Sequence, residues 1–514
     1  MTTPTESEKE PEEGQNEVER ADVVVIGAGI AGLIVADRAA AAGLHVLVLD
    51  AADVPGGCVA RHEVGGLALD AGAESYATRS TAVADLARDL GLGDELVTPD
   101  PAGAWVAHRD GTWPLPRAGL LGIPTDLDDP SLHAALGPDA LARARRDATD
   151  PVPAELTPGA PTPPSLGTVV RTRMGEQVLD RLVRPIVSGV HAADPDALDA
   201  QAVAPGLLAA LEETGSLAAG VARLRSTAKA GSAVGSVRGG MHRLVDALAD
   251  RIQAAGGTIH TGRAVTGLHR TDDTWLLTTE QVTTEQVTTA DGPHGPILAD
   301  HVVLAAGAGT AVPLLTGLFP SLADLPAPTG APVTLATLVV RSTALDTHPR
   351  GTGVLVGEDV PGVEAKALTH ATAKWEWLAD AAAETAGPGV HVVRLSYGRP
   401  GEDASRYADD AHVLETARRD AATLLGVELG GPDSEVLDGD VVRWPGALPA
   451  AGPGHAGRVA RIRTAASSVR PAGNGKHDTG PSAFAVVGGW LAGNGLAAVV
   501  ADSRAQAAQL FDNM

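Results

Sequence analysis

The strongest constraint on this chain is the stretch Ala21–Asp50, which reads as strand, glycine-rich turn, helix and second strand. Its first apolar run, Val23–Ile26, predicts a strand buried on both faces, and Gly27–Gly32 follows at once with the spacing GxGxxG. These glycines permit a tight turn, close approach of the backbone to a pyrophosphate, and close packing of helix on strand. Unpaired N–H groups at the start of the helix can bind the phosphates. The stretch therefore predicts a Rossmann-type unit that binds a dinucleotide.

Asp50 narrows the choice of dinucleotide. It follows the second predicted strand, His45–Leu49, where its carboxylate can accept hydrogen bonds from ribose hydroxyls. The same carboxylate would repel a 2′-phosphate. A GxGxxG turn alone is a weak signal, but strand, turn, helix, strand and acid occur here in register. These residues by themselves leave the cofactor as FAD or NAD.

Length and composition limit the class of protein. A chain of 514 residues predicts two or three domains. Its single cysteine, Cys58, excludes an intramolecular disulfide and favours a reducing, cytoplasmic location. Residues 1–20 lack the apolar segment of a signal peptide and are rich in acids, which predicts a disordered acidic tail.

Charge and hydropathy exclude further classes. The formal net charge is −25, and no basic cluster is interleaved with aromatics, so we expect no nucleic-acid partner. The longest apolar stretch, 483–501, is interrupted by several glycines, which argues against a transmembrane segment. No Ser-His-Asp, Cys-His or metal-spaced His/Cys set is recognisable, so we assign no metal site and no catalytic side chain.

A second glycine-rich region follows Asp50. The pair Gly56-Gly57 is followed by Asp70-x-Gly72-x-x-Ser75. This order resembles the flavin proteins of the amine oxidase and protoporphyrinogen oxidase superfamily, in which the GG pair lies along the pyrophosphate and the second segment reaches the flavin. That superfamily usually has Arg or Lys directly after the GG pair, where this chain has Cys58. With Cys58 at this position, either a phosphate contact is missing or Arg61 supplies it.

Later segments narrow the resemblance. Trp113–Pro116 with Gly119, and then Gly122–Asp126, look like the LPxG and GIPxD patterns of bacterial coproporphyrinogen and protoporphyrinogen oxidases. The segment 165–198, SLGTVVRTRMGEQVLDRLVRPIVSGVHAADPDAL, resembles their long helix and the turn after it. Within it, apolar residues spaced four apart predict one continuous helical stripe over 168–187. The resemblance extends over about residues 20 to 510.

The resemblance implies an α/β fold like that of protoporphyrinogen oxidase. A Rossmann-type FAD-binding domain would combine with a mixed-sheet substrate domain and a helical insertion. The predicted divisions are 21–92, 232–310 and 455–514 for the discontinuous FAD-binding domain, 93–112 and 311–454 for the substrate-binding domain, and 113–231 for the helical domain.

The resemblance also assigns site residues. Val265 would contact the adenine, Trp444 would lie beside the flavin, and a helix beginning near Leu496 would direct its N-terminus at the flavin. Arg79 would stand at the mouth of the pocket and bind the substrate. The expected cofactor-binding residues are Gly27, Ala28, Gly29, Ile30, Ala31, Gly32, Asp50, Ala51, Gly57, Cys58, Gly72, Ala73, Glu74, Ser75, Val265, Trp444, Asn494, Gly495 and Leu496.

The implied activity is oxidation of coproporphyrinogen III to coproporphyrin III in haem synthesis. The reaction removes six electrons, so it would need three two-electron rounds, each reoxidised by O2 with release of H2O2. The porphyrin would then pass to a downstream chelatase. The alternatives are protoporphyrinogen IX as substrate, another amine oxidase-like flavoenzyme, and a non-catalytic flavin-binding scaffold.

Overall fold

The computed structural model describes most of the chain. The described residues are 18–116, 119–191, 193–226, 234–271, 274–283, 286–288, 295–326, 330–358, 360–399, 401–449, 454–469, 483–493 and 495–512.

Strands and helices alternate through the described residues. The strands are β1 (Glu19–Ile26), β2 (Val46–Leu49), β3 (Arg61–Val64), β4 (Leu67–Asp70), β5 (Tyr76–Ala77), β6 (Leu96–Val97), β7 (Trp105–His108), β8 (Gly111–Pro114), β9 (Gly119–Leu120), β10 (Ile123–Pro124), β11 (Val234–Val237), β12 (Thr258–His260), β13 (Arg263–Arg270), β14 (Trp275–Thr283), β15 (Gln286–Thr288), β16 (Ile297–Leu304), β17 (Gly330–Ser342), β18 (Gly353–Val356), β19 (Ala367–His370), β20 (Val390–Tyr397), β21 (Ser434–Pro449) and β22 (Phe484–Val486). The α-helices are α1 (Ile30–Ala41), α2 (Ala82–Asp89), α3 (Leu132–Ala135), α4 (Pro138–Arg145), α5 (Leu166–Met174), α6 (Glu176–Val178), α7 (Arg184–His191), α8 (Ala200–Val203), α9 (Leu207–Thr214), α10 (Leu217–Ser226), α11 (His242–Ala254), α12 (Ala308–Leu318), α13 (Ala371–Lys374), α14 (Glu376–Ala386), α15 (Asp410–Leu425), α16 (His455–Ser467), α17 (Gly489–Ala492) and α18 (Leu496–Phe511).

The first large sheet has a parallel, Rossmann-ordered centre. Strands β12, β2, β1, β16 and β22 run parallel in that order, and β13–β15 extend the sheet in antiparallel orientation. Side chains of β1 alternate between two cores, one shared with α1, α11 and α18 and the other shared with α12 and α16. Burial on both faces explains why β1 is a continuous apolar run. The strand–helix–strand unit predicted from the glycine motif is confirmed.

A second, mixed sheet forms the other half of the molecule. Its seven strands follow the order β21, β17, β20, β19, β18, β7, β8, with β18 and β7 parallel. Helix α15 packs on one face of this sheet. The other face packs on α14 and on the hairpin β3–β4. That hairpin immediately precedes the Asp70–Ser75 segment, so the second sheet lies against the part of the chain predicted to reach the flavin.

Helices α3 to α10 surround a third core, which is the helical insertion. The prediction of one continuous helix over 168–187 is wrong. The chain leaves the helix at Gly175, whose φ is +96°, and it continues through α6, a π-turn at Leu179–Val183, and α7. The apolar stripe is nevertheless buried, at Val170, Met174, Val178 and Leu182. With its parallel sheet, mixed sheet and helical insertion, the predicted α/β architecture is confirmed.

The domain division remains a prediction. Three of its boundaries fall inside elements, since position 21 lies in β1, position 112 lies in β8 and position 310 lies in α12. Among the described residues, no helix is both long enough and apolar enough to cross a membrane.

Candidate FAD site

The turn after β1 requires glycine at two positions. A side chain on Gly27, whose φ is +109°, would place its Cβ 2.8 Å from the carbonyl carbon of Ala305. A Cβ on Gly32 would lie 2.1 Å from the carbonyl oxygen of Gly27. These two glycines therefore allow α1 and β16 to approach the end of β1.

Gly29 is different, because open space lies over it. It is the N-cap of α1, its φ is −65°, and a Cβ built there would meet no atom of the described part of the chain within 4 Å. The backbone of Gly57 bounds this space, since a Cβ on Gly57 would lie 3.5 Å from the Gly29 Cα. Ile30 and Ala31 are buried in the first turn of α1. The result is a groove lined by backbone over a helix N-terminus, which suits a pyrophosphate.

The second glycine segment is attached to the first by backbone hydrogen bonds. Gly56 donates its N–H to the Ala28 carbonyl at 2.8 Å. The carbonyl of Cys58 accepts the N–H of Ala73 at 2.7 Å, so the Gly72–Ser75 segment runs beside the GG turn. The Cys58 side chain is exposed. The alternative phosphate contact, Arg61, pairs with Glu63 at 2.7 Å.

Asp50 lies at the end of β2, beside the groove. Its carboxylate accepts the N–H of Ala28 at 2.6 Å and the N–H of Ala52 at 2.8 Å. Burial raises the pKa of Asp50, and the two backbone hydrogen bonds oppose that rise. Through these hydrogen bonds the carboxylate holds the glycine turn in place. It lies at the position where the motif requires an acceptor for the ribose hydroxyls. Ala51, the next residue, is exposed.

Glu74 contacts two cations, Lys374 at the end of α13 and Arg394 on β20 of the mixed sheet. Its carboxylate forms a short hydrogen bond with the Lys374 ammonium, and the Arg394 guanidinium lies 3.8 Å away. Arg394 also donates to the carbonyl of Gly72. Burial alone would raise the pKa of Glu74, but Lys374 and Arg394 hold it below its ordinary value. Ser75, the next residue, is half-buried.

Two tryptophans donate to backbone carbonyls near the strand ends. Trp444 donates its indole N–H to Ala71 at 3.0 Å, and Trp490 donates to Ala306 at 3.3 Å. Trp444 is half-buried, and it belongs to the strand next to β17 in the mixed sheet. Val265 of β13 is buried in the same core as Leu49.

The last predicted contacts lie at the start of α18. This helix begins at Leu496, which is buried, and Gly495 is its N-cap, as the sequence predicts. A Cβ on Gly495 would meet no atom within 4 Å. Asn494 lies outside the described residues. Arg79 is exposed just before α2, and it makes no hydrogen bond or ion pair with the residues that the structure describes.

Comparison with known proteins identifies the family. The model of the flavin-containing amine oxidoreductases matches residues 30–501. The chain belongs to this family. Among the family's curated members, a coproporphyrinogen III oxidase from Mycobacterium tuberculosis (strain H37Rv) is 30% identical, over 93% of this chain and 94% of that protein. Another coproporphyrinogen III oxidase, from Bacillus subtilis (strain 168), is 24% identical, over 90% of this chain and 93% of that protein.

Solved structures show the same amine oxidoreductase fold. A candidate protoporphyrinogen oxidase from Exiguobacterium sp. 255-15 superposes with a TM-score of 0.77 at 25% identity, covering 96% of this chain and 99% of that one. Putrescine oxidase bound to putrescine gives a TM-score of 0.59 at 14% identity, covering 96% and 99%. As a flavin-containing amine oxidoreductase, this chain uses FAD as its cofactor.

The local geometry fits that cofactor. The groove over Gly29 leaves room for a pyrophosphate, and Asp50 can receive a ribose hydroxyl on its remaining lone pairs. No group of His, Cys, Asp or Glu suited to a metal ion occurs among the residues that the structure describes.

Sequence reasoning missed three residues in this part of the amine oxidoreductase fold. Lys374 and Arg394 are about 300 residues from Glu74 along the chain, and Trp490 was read only as part of a C-terminal segment. Local patterns carry no signal for such distant pairs. The one available hint was a lysine beside a tryptophan, Lys374-Trp375, in a chain with few aromatics.

Proposed function

We propose that this flavoenzyme oxidises coproporphyrinogen III to coproporphyrin III, with O2 as the final electron acceptor and H2O2 as the second product. The observation that carries the proposal is the similarity to the M. tuberculosis coproporphyrinogen III oxidase, at 30% identity and with nearly complete coverage of both chains. The aligned region includes the helical insertion and the mixed sheet as well as the nucleotide-binding sheet.

FAD would supply a two-electron acceptor that O2 can reoxidise. Balance then requires three rounds for each porphyrinogen, which consume three O2 and release three H2O2. The chain's own residues hold the cofactor and place the mixed sheet against it. Gly29 and Gly57 would bound the pyrophosphate, and Asp50 would accept a hydrogen bond from a ribose hydroxyl. Trp444 links the mixed sheet to Ala71 by its hydrogen bond.

Substrate charge gives Arg79 its proposed role. A porphyrinogen carries propionate groups, whereas the chain has a net charge of −25, so the long-range field opposes binding. Screening limits that field to about 8 Å at physiological salt, so a nearby cation decides the local attraction. We place Arg79 at the pocket mouth, where its exposed guanidinium can pair with a propionate. Transfer of the product to a chelatase and a cytoplasmic location are parts of the same proposal.

Protoporphyrinogen IX is the second candidate substrate. It is supported by the similarity to the Exiguobacterium structure, which is named as a candidate protoporphyrinogen oxidase. Both substrates need the same chemistry, so they differ only in the side chains that the pocket accepts.

The test is a turnover assay with each porphyrinogen on the FAD-loaded protein. Porphyrin fluorescence, O2 uptake and H2O2 would be recorded together, with Gly29→Val protein as the control without bound flavin. Faster turnover of coproporphyrinogen, with three O2 used for each porphyrin, supports the proposal. Faster turnover of protoporphyrinogen would transfer the assignment to the second candidate. No turnover of either by fully loaded protein would exclude both.

A further inference from the structure

Glu74, Lys374 and Arg394 form an ionic cluster under the segment Gly72–Ser75. Their side chains are only 19%, 16% and 11% exposed. Lys374 binds the Glu74 carboxylate directly, whereas Arg394 donates to the Gly72 carbonyl and stays 3.8 Å from that carboxylate. We call these three residues the Glu74 cluster. It joins the mixed sheet to the segment that we place beside the flavin.

The Glu74 cluster holds one more positive charge than negative. The two cations keep the pKa of Glu74 below its ordinary value, so its carboxyl is ionised at neutral pH. Asp70, which lines the same small cavity as Glu74 and Arg394, has hydrogen-bond donors of its own. It accepts the N–H groups of Met241 and His242 where α11 begins, as well as the imidazole of His242.

A purely mechanical link would not need this composition. One lysine and one glutamate make a neutral pair, and a neutral donor could bind the Gly72 carbonyl. Instead, Arg394 donates to the backbone carbonyl of Gly72, in the segment that we place beside the flavin. Buried charges interact more strongly than exposed ones, because less water screens them. The extra positive charge of the cluster therefore stabilises any negative charge that develops on the other side of residues 72–75.

We propose that Lys374 and Arg394 raise the reduction potential of the FAD bound beside residues 72–75. Reduction adds negative charge to a flavin, and fixed positive charge near it favours the reduced form. Lys374 and Arg394 act on the flavin by their charge, from the far side of Glu74 and Gly72. The inference rests on the FAD placement used in the proposed function.

The experiment measures the flavin reduction potential by anaerobic dye equilibration, without any porphyrinogen. Lys374→Gln and Arg394→Gln each remove a positive charge, so both should lower the potential. Glu74→Gln removes the negative charge and should raise it. The double variant Glu74→Gln/Lys374→Gln keeps the parent's net charge and should return close to the parent potential. Lys374→Arg and Arg394→Lys should also preserve it.

Arg341→Gln is the matched control. Arg341 lies on β17, next to the strand of Arg394, but it pairs with Glu435 and is 45% exposed. We expect it to keep the parent potential. Opposite shifts for the cation and anion variants support the proposal, because loss of a mechanical link alone would not reverse sign with charge.

Shifts of the same sign, or none, in protein with full FAD content would overturn the proposal. If Lys374→Gln or Arg394→Gln cannot hold FAD, Glu74→Gln still decides the sign, since an unchanged or lowered potential in that variant would overturn the proposal. The reduction potential is measured without substrate. Failure to oxidise coproporphyrinogen would therefore refute the proposed function and leave the measured potentials valid.

Discussion

Trp444 donates its indole N–H to the carbonyl of Ala71 at 3.0 Å, across 373 positions of sequence. The bond joins β21 of the mixed sheet to the backbone just before Gly72. Arg394 makes a second link from the same sheet, to Gly72 itself. The position of the mixed sheet over the flavin-side segment is therefore fixed by two hydrogen bonds to adjacent residues.

Removing the first of these bonds should weaken cofactor binding. Trp444→Phe retains most of the ring but leaves the Ala71 carbonyl without that donor. A hydrogen bond contributes about 1 kcal/mol, so we expect the Kd for FAD to rise about fivefold. Titration of apoprotein with FAD measures it. Trp377→Phe is the control, since the buried indole nitrogen of Trp377 has no hydrogen-bond partner among the described residues. Equal Kd values in both variants would remove Trp444 from the cofactor contacts.

Two glycines of the same motif should give different failures. Gly29→Val fits the apoprotein, where no atom lies within 4 Å of the new Cβ, but it fills the pyrophosphate groove. We expect colourless protein with a parent-like apoprotein Tm. Gly27→Val would place its Cβ 2.8 Å from Ala305 at a φ of +109°, so we expect it to lower the Tm or prevent folding. Absorbance at the flavin bands and thermal unfolding of apoprotein separate the two. A yellow Gly29→Val protein would contradict the placement of the groove.

The sequence predicts local units of this fold well and distant contacts poorly. The unit from β1 to β2 follows from hydrophobic runs and glycine spacing. The break at Gly175 was missed because the buried stripe keeps its spacing through the π-turn, so periodicity alone looks like one helix.

The site shows the same limit. Asp50 was predicted because its distance from the glycine motif is set within one βαβ unit. The partners of Glu74 come from α13 and β20, far along the chain, and nothing in the local sequence around Lys374 or Arg394 specifies that contact. The choice of FAD over NAD also needed the family resemblance, because both cofactors share the adenosine half that the motif binds.

A buried ion pair should dominate the stability of the helical insertion. Asp147 and Arg173 are 0% and 2% exposed and are 2.8 Å apart. Asp147 also accepts the N–H groups of Leu217 and Ala218 at the start of α10. Asp147→Ala leaves a buried guanidinium without its counterion, which costs about 3–5 kcal/mol. Urea unfolding measures this cost.

The control for Asp147 is the exposed pair of Arg145 and Asp128. Their side chains are 49% and 82% exposed, so Asp128→Ala should cost less than about 1 kcal/mol. Equal losses in the two variants would mean that the buried pair contributes no more than a surface one.

Acid should destabilise the protein through a buried histidine. His370 hydrogen-bonds His391 at 3.1 Å, and burial, reinforced by the imidazoles of His391 and His348, lowers the pKa of His370 to about 3. In the unfolded chain its pKa is about 6.5. Between those values the unfolded state binds a proton that the folded state does not, so stability is full above pH 6.5 and falls as pH decreases. By pH 5 the loss from His370 is about 2 kcal/mol.

His370→Gln should flatten this part of the stability curve. Unfolding midpoints at pH 7 and pH 5 would be compared for the parent, His370→Gln and a control, His45→Gln, which changes an exposed histidine. We expect the parent and the control to lose stability equally and the His370 variant to lose less. Identical slopes in all three proteins would show that His370 titrates normally when folded.

Arg79 should affect the binding of substrate rather than the binding of FAD. It is exposed and makes no ion pair with the described residues, so removing it should leave the fold intact. Loss of a charge-assisted pair with a propionate predicts a KM for coproporphyrinogen about tenfold higher in Arg79→Ala, with an unchanged flavin spectrum. Because the pair is screened by salt, the parent KM should rise with ionic strength more steeply than the variant's.

Arg38→Ala is the matched control, since Arg38 lies at the opposite end of α1 from the groove and pairs with Asp512. It changes the net charge by the same amount, so it reports the effect of the distant field alone. If the two variants have the same KM and salt dependence, Arg79 acts only through that field and does not contact the substrate.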